Sequence, residues 1–298
     1  IMPDKLKHLL SLLDDPDEEI YLQVRNELIR FGPEILPDLE KYWAVGENSL
    51  FTTRLHNLIE NIRFNLLYSD WFSWRQQAEP DLLNGAVLID QISDHNVSES
   101  TLNDSIKPFI NETWLEINER LTALEKIRIL NYVVFTKNRI SLIQKLPPLS
   151  KSYFLSNLFK FKTGNSYTIS MLYLLICREL KLPVYGILYD DLFLLAYLDT
   201  VVPVLKEPKD LSTIPILFFI HIEHQGQIFG KHQFKELIHN YETKDQAIQP
   251  VIIPDHIAVK AVLNGVLLAS NKERKAKRVK RIRKILRLWD ESSNMPDE

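Results

Sequence analysis

Between Gly164 and Asp199 the chain is apolar in three consecutive blocks, and none of them leaves a face for water. The first, SYTISMLYLLICREL (166–180), is apolar nearly all the way round. A helix without a polar face has to be buried on every side, so this one is expected at the centre of the fold. Thr163-Gly164-Asn165 reads as the turn that enters it, and Pro183 prevents its continuation. VYGILY (184–189) and LFLLAYL (192–198) flank Asp190-Asp191 and predict a hairpin of buried strands. ILFFIHIEH (216–224) and QIF (227–229), separated by Gln225-Gly226, predict two more strands.

Everything before this core carries helical spacing. Residues 4–13 form an amphipathic run, and Asp14-Asp15-Pro16 reads as the cap and first turn of a second helix that Gly32 ends. Leu55, Leu58, Ile59, Ile62 and Leu66 share one stripe of a helix over 50–68, followed by a break holding Trp71 and Trp74 as packing anchors. Further helices are expected over 80–92 and 98–121, where Pro108 should kink or split the second. Thr122 and Glu125 have capping-box spacing at the start of another, which continues to Phe135. Residues 137–151, with Pro147-Pro148, are the first loop-like stretch, and 152–161 a short helix. After the strands, 231–241 and 254–270 return to helix, the latter capped at or just before Asp255. The fold class expected is α+β and mostly helical. Four segments are expected: helical hairpins over 1–76, a helical domain over 77–146, the mixed core over 147–245, and C-terminal helices over 246–298.

Composition narrows the function classes. The chain has 298 residues, 45% hydrophobic and 25% charged, with a single cysteine, Cys177. One cysteine excludes an internal disulfide framework and a Cys-based metal cluster. No run of about twenty apolar residues reads as a membrane span. The apolar run at the start is too short and too soon interrupted by acids for a signal peptide, so a cytoplasmic protein is expected. The net charge of -3 conceals an asymmetry: ten Lys/Arg and one Glu between Lys272 and Arg287 give +9, which leaves -12 for the remainder. No P-loop or GxGxxG pattern is present, and no cofactor is expected.

Particular residues carry a family likeness. Gly164-Asn165, Ser170-Met171-Leu172-Tyr173-Leu174, Arg178 through Gly186, and Phe193-Leu194-Leu195-Ala196-Tyr197 resemble the SirB-type bacterial branch of the transglutaminase-like superfamily. So do Asp81 through Ala86 and Leu121 through Lys126, giving a likeness over roughly residues 80–240. It implies a transglutaminase- or papain-like core: a central buried helix and a small antiparallel sheet, flanked by N- and C-terminal helices. Residues 10–45 separately resemble one HEAT-type helical repeat.

The same likeness implies a catalytic triad, which this sequence does not keep. The nucleophilic cysteine at the start of the central helix is matched by Ser166, the histidine by Leu192, and the carboxylate or amide that orients it by His221. A serine hydroxyl without a base keeps its proton, and general-base help is worth on the order of 10²–10⁴ in rate. The expectation is therefore a degenerate, non-catalytic copy in which Ser166 caps the helix and Cys177 packs in the core. Asp190 and Asp191 are read as turn residues rather than an acid/base pair. His221 and His224, at i and i+3 on a strand, should face opposite sides, so no metal site is expected.

Two alternatives differ in class. A rewired hydrolase would use Ser166 with His221, His224 or His232 as base. A polyanion-binding helix would use Lys277, Lys280, Arg281 and Lys284. In that segment Ala276, Val279, Ile282, Ile285, Leu286 and Trp289 form one apolar stripe, so the helix is expected to dock on the body by that stripe with its cations solvated or facing the acidic body. The leading expectation is a protein-binding or regulatory module with a protein partner or a second copy of itself, ahead of nucleic acid.

Overall fold

The computed structural model describes residues 4–45, 50–143, 148–190, 192–199, 205–241 and 249–291. The chain divides into two compact units, 1–72 and 73–298.

The first unit is helical among its described residues: α1 (Asp4–Ser11), α2 (Glu18–Arg30), α3 (Leu36–Val45) and most of α4 (Leu50–Arg75). The cap of α2 is Asp17, not the Asp14-Asp15-Pro16 step, and its side chain accepts from Glu19 N–H. Leu10, Leu13, Leu28, Leu39, Leu55 and Leu58 belong to one buried cluster. Leu66, expected on the same stripe, is exposed. Arg54 is buried because its guanidinium is fully used: it donates to Leu13 O and Asp15 O, reaches Glu18 at 3.0 Å, and lies over the Tyr21 ring. Trp71 and Trp74 lie inside α4 and not in a break. Their apolar surface keeps the helical pattern running past Tyr68.

The second unit is the mixed α+β part. α5 (Leu82–Gln91), α6 (Glu99–Glu116) and α7 (Ala123–Asn131) precede the sheet. α6 runs through Pro108 without splitting. The Thr122–Glu125 capping box forms as expected, but after Asn131 the helix widens into a π-helical turn over Tyr132–Lys137. The loop-like 137–151 stretch contains a two-residue strand, β1 (Ser141–Leu142). It pairs in parallel with β2 (Thr163–Gly164), where a plain turn was expected. α8 (Leu155–Phe161) lies between them.

α9 (Ser166–Glu179) is the central helix, buried everywhere except Tyr167, Arg178 and Glu179. It packs on β3 (Val184–Tyr189) and β4 (Leu192–Leu198), which pair antiparallel from Val184↔Tyr197 to Tyr189↔Leu192. The full sheet has six antiparallel strands in the order β5-β8-β3-β4-β6-β7. β6 (Ile216–His221) and β7 (Gln227–Phe229) match expectation in place, but β6 stops at His221 and residues 222–224 form a 3₁₀ turn. β5 (Lys209–Asp210) and β8 (Val251–Ile253) were not foreseen, and β8 joins the sheet beside β3 from beyond residue 245.

The two faces of the sheet are covered differently. Phe193 meets Tyr167 of α9 at 5.4 Å between ring centroids. On the other face Leu192, Leu194, Ala196, Phe219 and Phe229 share a cluster with Phe234 and Ile238 of α10 (Lys231–Tyr241). α11 (Asp255–Lys272) packs against α5, α9 and α12 (Ala276–Glu291). A Cβ at Gly265 of α11 would stand 2.1 Å from a Tyr153 ring carbon, so only glycine allows that approach. Among the described residues no helix is long and apolar enough to cross a membrane.

Candidate functional site

The N-terminus of α9 is held by a small polar cluster. Asn165, extended at φ -88° and ψ 175°, is the cap, and its Oδ1 accepts from Thr168 N–H at 2.9 Å. Its Nδ2 donates to Ser152 Oγ at 3.2 Å, and Thr168 Oγ1 donates to Ser152 O at 2.7 Å. The capping role expected of Ser166 therefore belongs to Asn165. An amide oxygen one residue earlier reaches the third helical N–H, as capping geometry requires. Ser166 is the first helical residue and is 9% exposed.

Ser166 opens onto a cavity of about 500 Å³ whose wall includes Asn165, Tyr167, Glu223, Lys260 and Lys272. Among the described residues of that wall there is no histidine. A hydroxyl at the positive end of a helix can donate or accept a hydrogen bond there. The imidazole that the resemblance implies as base is not in that wall among the described residues; its titratable groups include Glu223, Lys260 and Lys272.

The other positions of the implied triad lie elsewhere. Leu192 is 6% exposed and belongs to the sheet face that packs on α10. Its neighbour Phe193 is the one that faces α9. His221 is two residues beyond Phe219, which stacks on Phe234 of α10, so period-two alternation puts it on that far face too. It meets Phe229 edge-on. Ser166, Leu192 and His221 are thus not brought together.

His221 and His224 correct a second expectation. Their rings lie 4.3 Å apart instead of on opposite sides. The strand ends at His221, and in the 3₁₀ turn that follows side chains three residues apart eclipse. His221 is buried, and its Nε2 finds no hydrogen-bond partner among the described residues. Burial first, and His224 second, lower its pKa, while Glu223 at 3.9 Å opposes them. His232 is exposed on α10, 3.5 Å from Glu236. Among the described residues no group of three His, Cys, Asp or Glu could hold a metal ion. Asp190 begins the β3–β4 turn with φ +49°; Asp191 lies outside the described residues.

Cys177 sits deep in α9 and is fully buried, and that burial pushes its thiol up to about 12, with Arg178 opposing. It is protonated and inert at neutral pH. Beyond it Arg178 grips Asp255 with two hydrogen bonds of 2.8 and 2.6 Å and donates to Val184 O. Asp255 is the first residue of α11, whose cap position falls just before it, at Pro254. Nothing in the local sequence foretold this pairing across the fold, nor the presence of Glu223, Lys260 and Lys272 in one cavity wall.

α12 docks as its pattern predicts. Of the expected stripe Val279, Ile282, Ile285 and Trp289 are buried, Leu286 is half-buried and Ala276 is exposed, while Leu288, outside that stripe, is buried. Lys277, Lys280 and Lys284 are exposed and Arg281 is half-buried. Trp289 meets Trp74 at 6.2 Å.

Comparison with known proteins identifies one family. The model described as the transglutaminase-like superfamily matches residues 100–264, from α6 to α11. No curated protein and no solved structure matches the chain.

Proposed function

Since the chain belongs to the transglutaminase-like superfamily by its match over residues 100–264, we propose that it is a non-catalytic member acting as a protein-binding or regulatory module. One observation carries the reading: at the start of the central helix, where the resemblance calls for a thiolate, stands Ser166, in a cavity wall with no histidine among its described residues. The lone thiol, Cys177, is sealed inside the helix.

The likeness of particular residues to the SirB-type branch supports reading the chain as a degenerate copy within it. On that reading residues 77–146 are its helical domain, residues from 147 onward its core, which β8 carries past 245, and 1–76 HEAT-like hairpins ahead of them in sequence. A binding role is supported by large apolar side chains left in water on the helical part, Trp114 at 66% and Leu115 at 73% exposure. Exposed aromatic and aliphatic side chains of this size are what protein interfaces bury.

The test is turnover of ester, thioester and γ-glutamyl amide substrates by the full chain and by Ser166→Ala. The expected result is no hydrolysis or transfer above the variant's level. Turnover that is lost in Ser166→Ala would show an active nucleophile and end the proposal.

A further inference from the structure

A second cleft, of about 450 Å³, opens in the 73–298 unit and is separate from the one at Ser166. Its lining includes the apolar Ile106, Ile110 and Leu175 together with Arg75, Lys206 and His256. Four acids also line it, yet none of them pairs with Arg75. Both oxygens of Asp255 are taken by Arg178. Asp81 accepts Asn84 N–H at 2.8 Å as the cap of α5. Glu79 and Glu179 are exposed.

Arg75 is therefore a guanidinium in partial burial without a carboxylate. Its Nε is buried and has no hydrogen-bond partner among the described residues. Its guanidinium lies 5.9 Å from the centre of the Trp289 ring. What faces the cleft is a guanidinium charge with no carboxylate partner among the described residues, which an anion entering there can pair with. The uncompensated charge is felt next door. His256 is pulled down to about 4, by burial first and by Arg75 next, with Asp255 opposing and Lys260 adding to the fall. No side chain caps the N-terminus of α11 beside it, which adds the positive end of an 18-residue helix to the same lining.

We propose that this cleft binds a small carboxylic acid with an apolar body. The carboxylate pairs with the Arg75 guanidinium beside His256, and the body lies along Ile106, Ile110 and Leu175. A guanidinium offers a planar fork that matches a carboxylate, and the volume is that of a small-molecule site. The inference goes beyond the reading of Ser166 and does not depend on it.

Calorimetric titration of the full chain with octanoate tests it, with 1-octanol supplying the body alone and inorganic phosphate the charge alone. Octanoate is expected to saturate one site, with octanol and phosphate at least tenfold weaker. Arg75→Gln should weaken octanoate tenfold or more, and Lys206→Gln, at an exposed position, severalfold. Absence of saturable octanoate binding overturns the proposal. So does octanol or phosphate binding as tightly as octanoate, or wild-type affinity in a folded Arg75→Gln. Should that variant not fold, octanoate-induced NMR shifts decide on the wild type. Shifts at His256 and Tyr185 support the site, and shifts confined elsewhere overturn it.

Discussion

Asp90 is 1% exposed, and its two carboxylate oxygens accept Leu155 N–H at 2.8 Å and Ser156 N–H at 2.7 Å. It thereby satisfies the first turn of α8 from a different helix. Those hydrogen bonds favour the charged form, but burial outweighs them and lifts the pKa to about 6. A carboxyl raised in the folded state holds its proton longer than in the unfolded chain. Its contribution to stability is thus fully present below about 4 and is lost as the pH rises through 6. Carboxyl NMR titration should give Asp90 a midpoint near 6; a midpoint near the ordinary 4 would mean the backbone donors prevail. At the same scale Asn165, not Ser166, caps α9. The two residues are adjacent, and both types cap well, so sequence had no means to choose between them.

Among elements, α12 separates packing from charge most cleanly. Ile282 and Ile285 are fully buried, while Lys280 on the same helix is exposed. Ile282→Ala should cost about 2–5 kcal/mol, and Lys280→Ala should stay within about 0.5 kcal/mol. Denaturant unfolding of both variants decides. Comparable losses would mean the helix is held by its cations rather than its stripe. The β6–β7 connection shows how firmly an element end can be fixed. Gly226 adopts φ +74°, and a Cβ there would stand 1.9 Å from Asn131 Oδ1. Asn131 itself donates to Gly226 O at 2.7 Å and accepts from Tyr173 Oη–H at 3.0 Å, tying α7, α9 and the turn together.

For the whole molecule, the long apolar blocks made the α+β class, the buried α9 and the β3–β4 hairpin legible. Their length and lack of polar residues left few other placements. β5 and β8 escaped notice because strands of two and three residues carry no period, and their pairing partners lie far away in sequence. The orientation of Leu192 escaped for a related reason. In a strand apolar at every position, alternation does not tell one face from the other, so the face that meets α9 emerged only from the register. The site followed the same division. Ser166 and Leu192, at the positions where the resemblance implies a cysteine and a histidine, were visible as residue types, whereas the cavity that joins Ser166 to Glu223, Lys260 and Lys272 is a product of packing.

The central claim, that this core has no working nucleophile, is tested most directly by exposing the native protein to a fluorophosphonate. Such a reagent loses fluoride only to an activated serine, and mass spectrometry then reads Ser166. The account predicts that Ser166 stays unmodified. A stoichiometric phosphonyl adduct on Ser166, absent after denaturation before labelling, would contradict it.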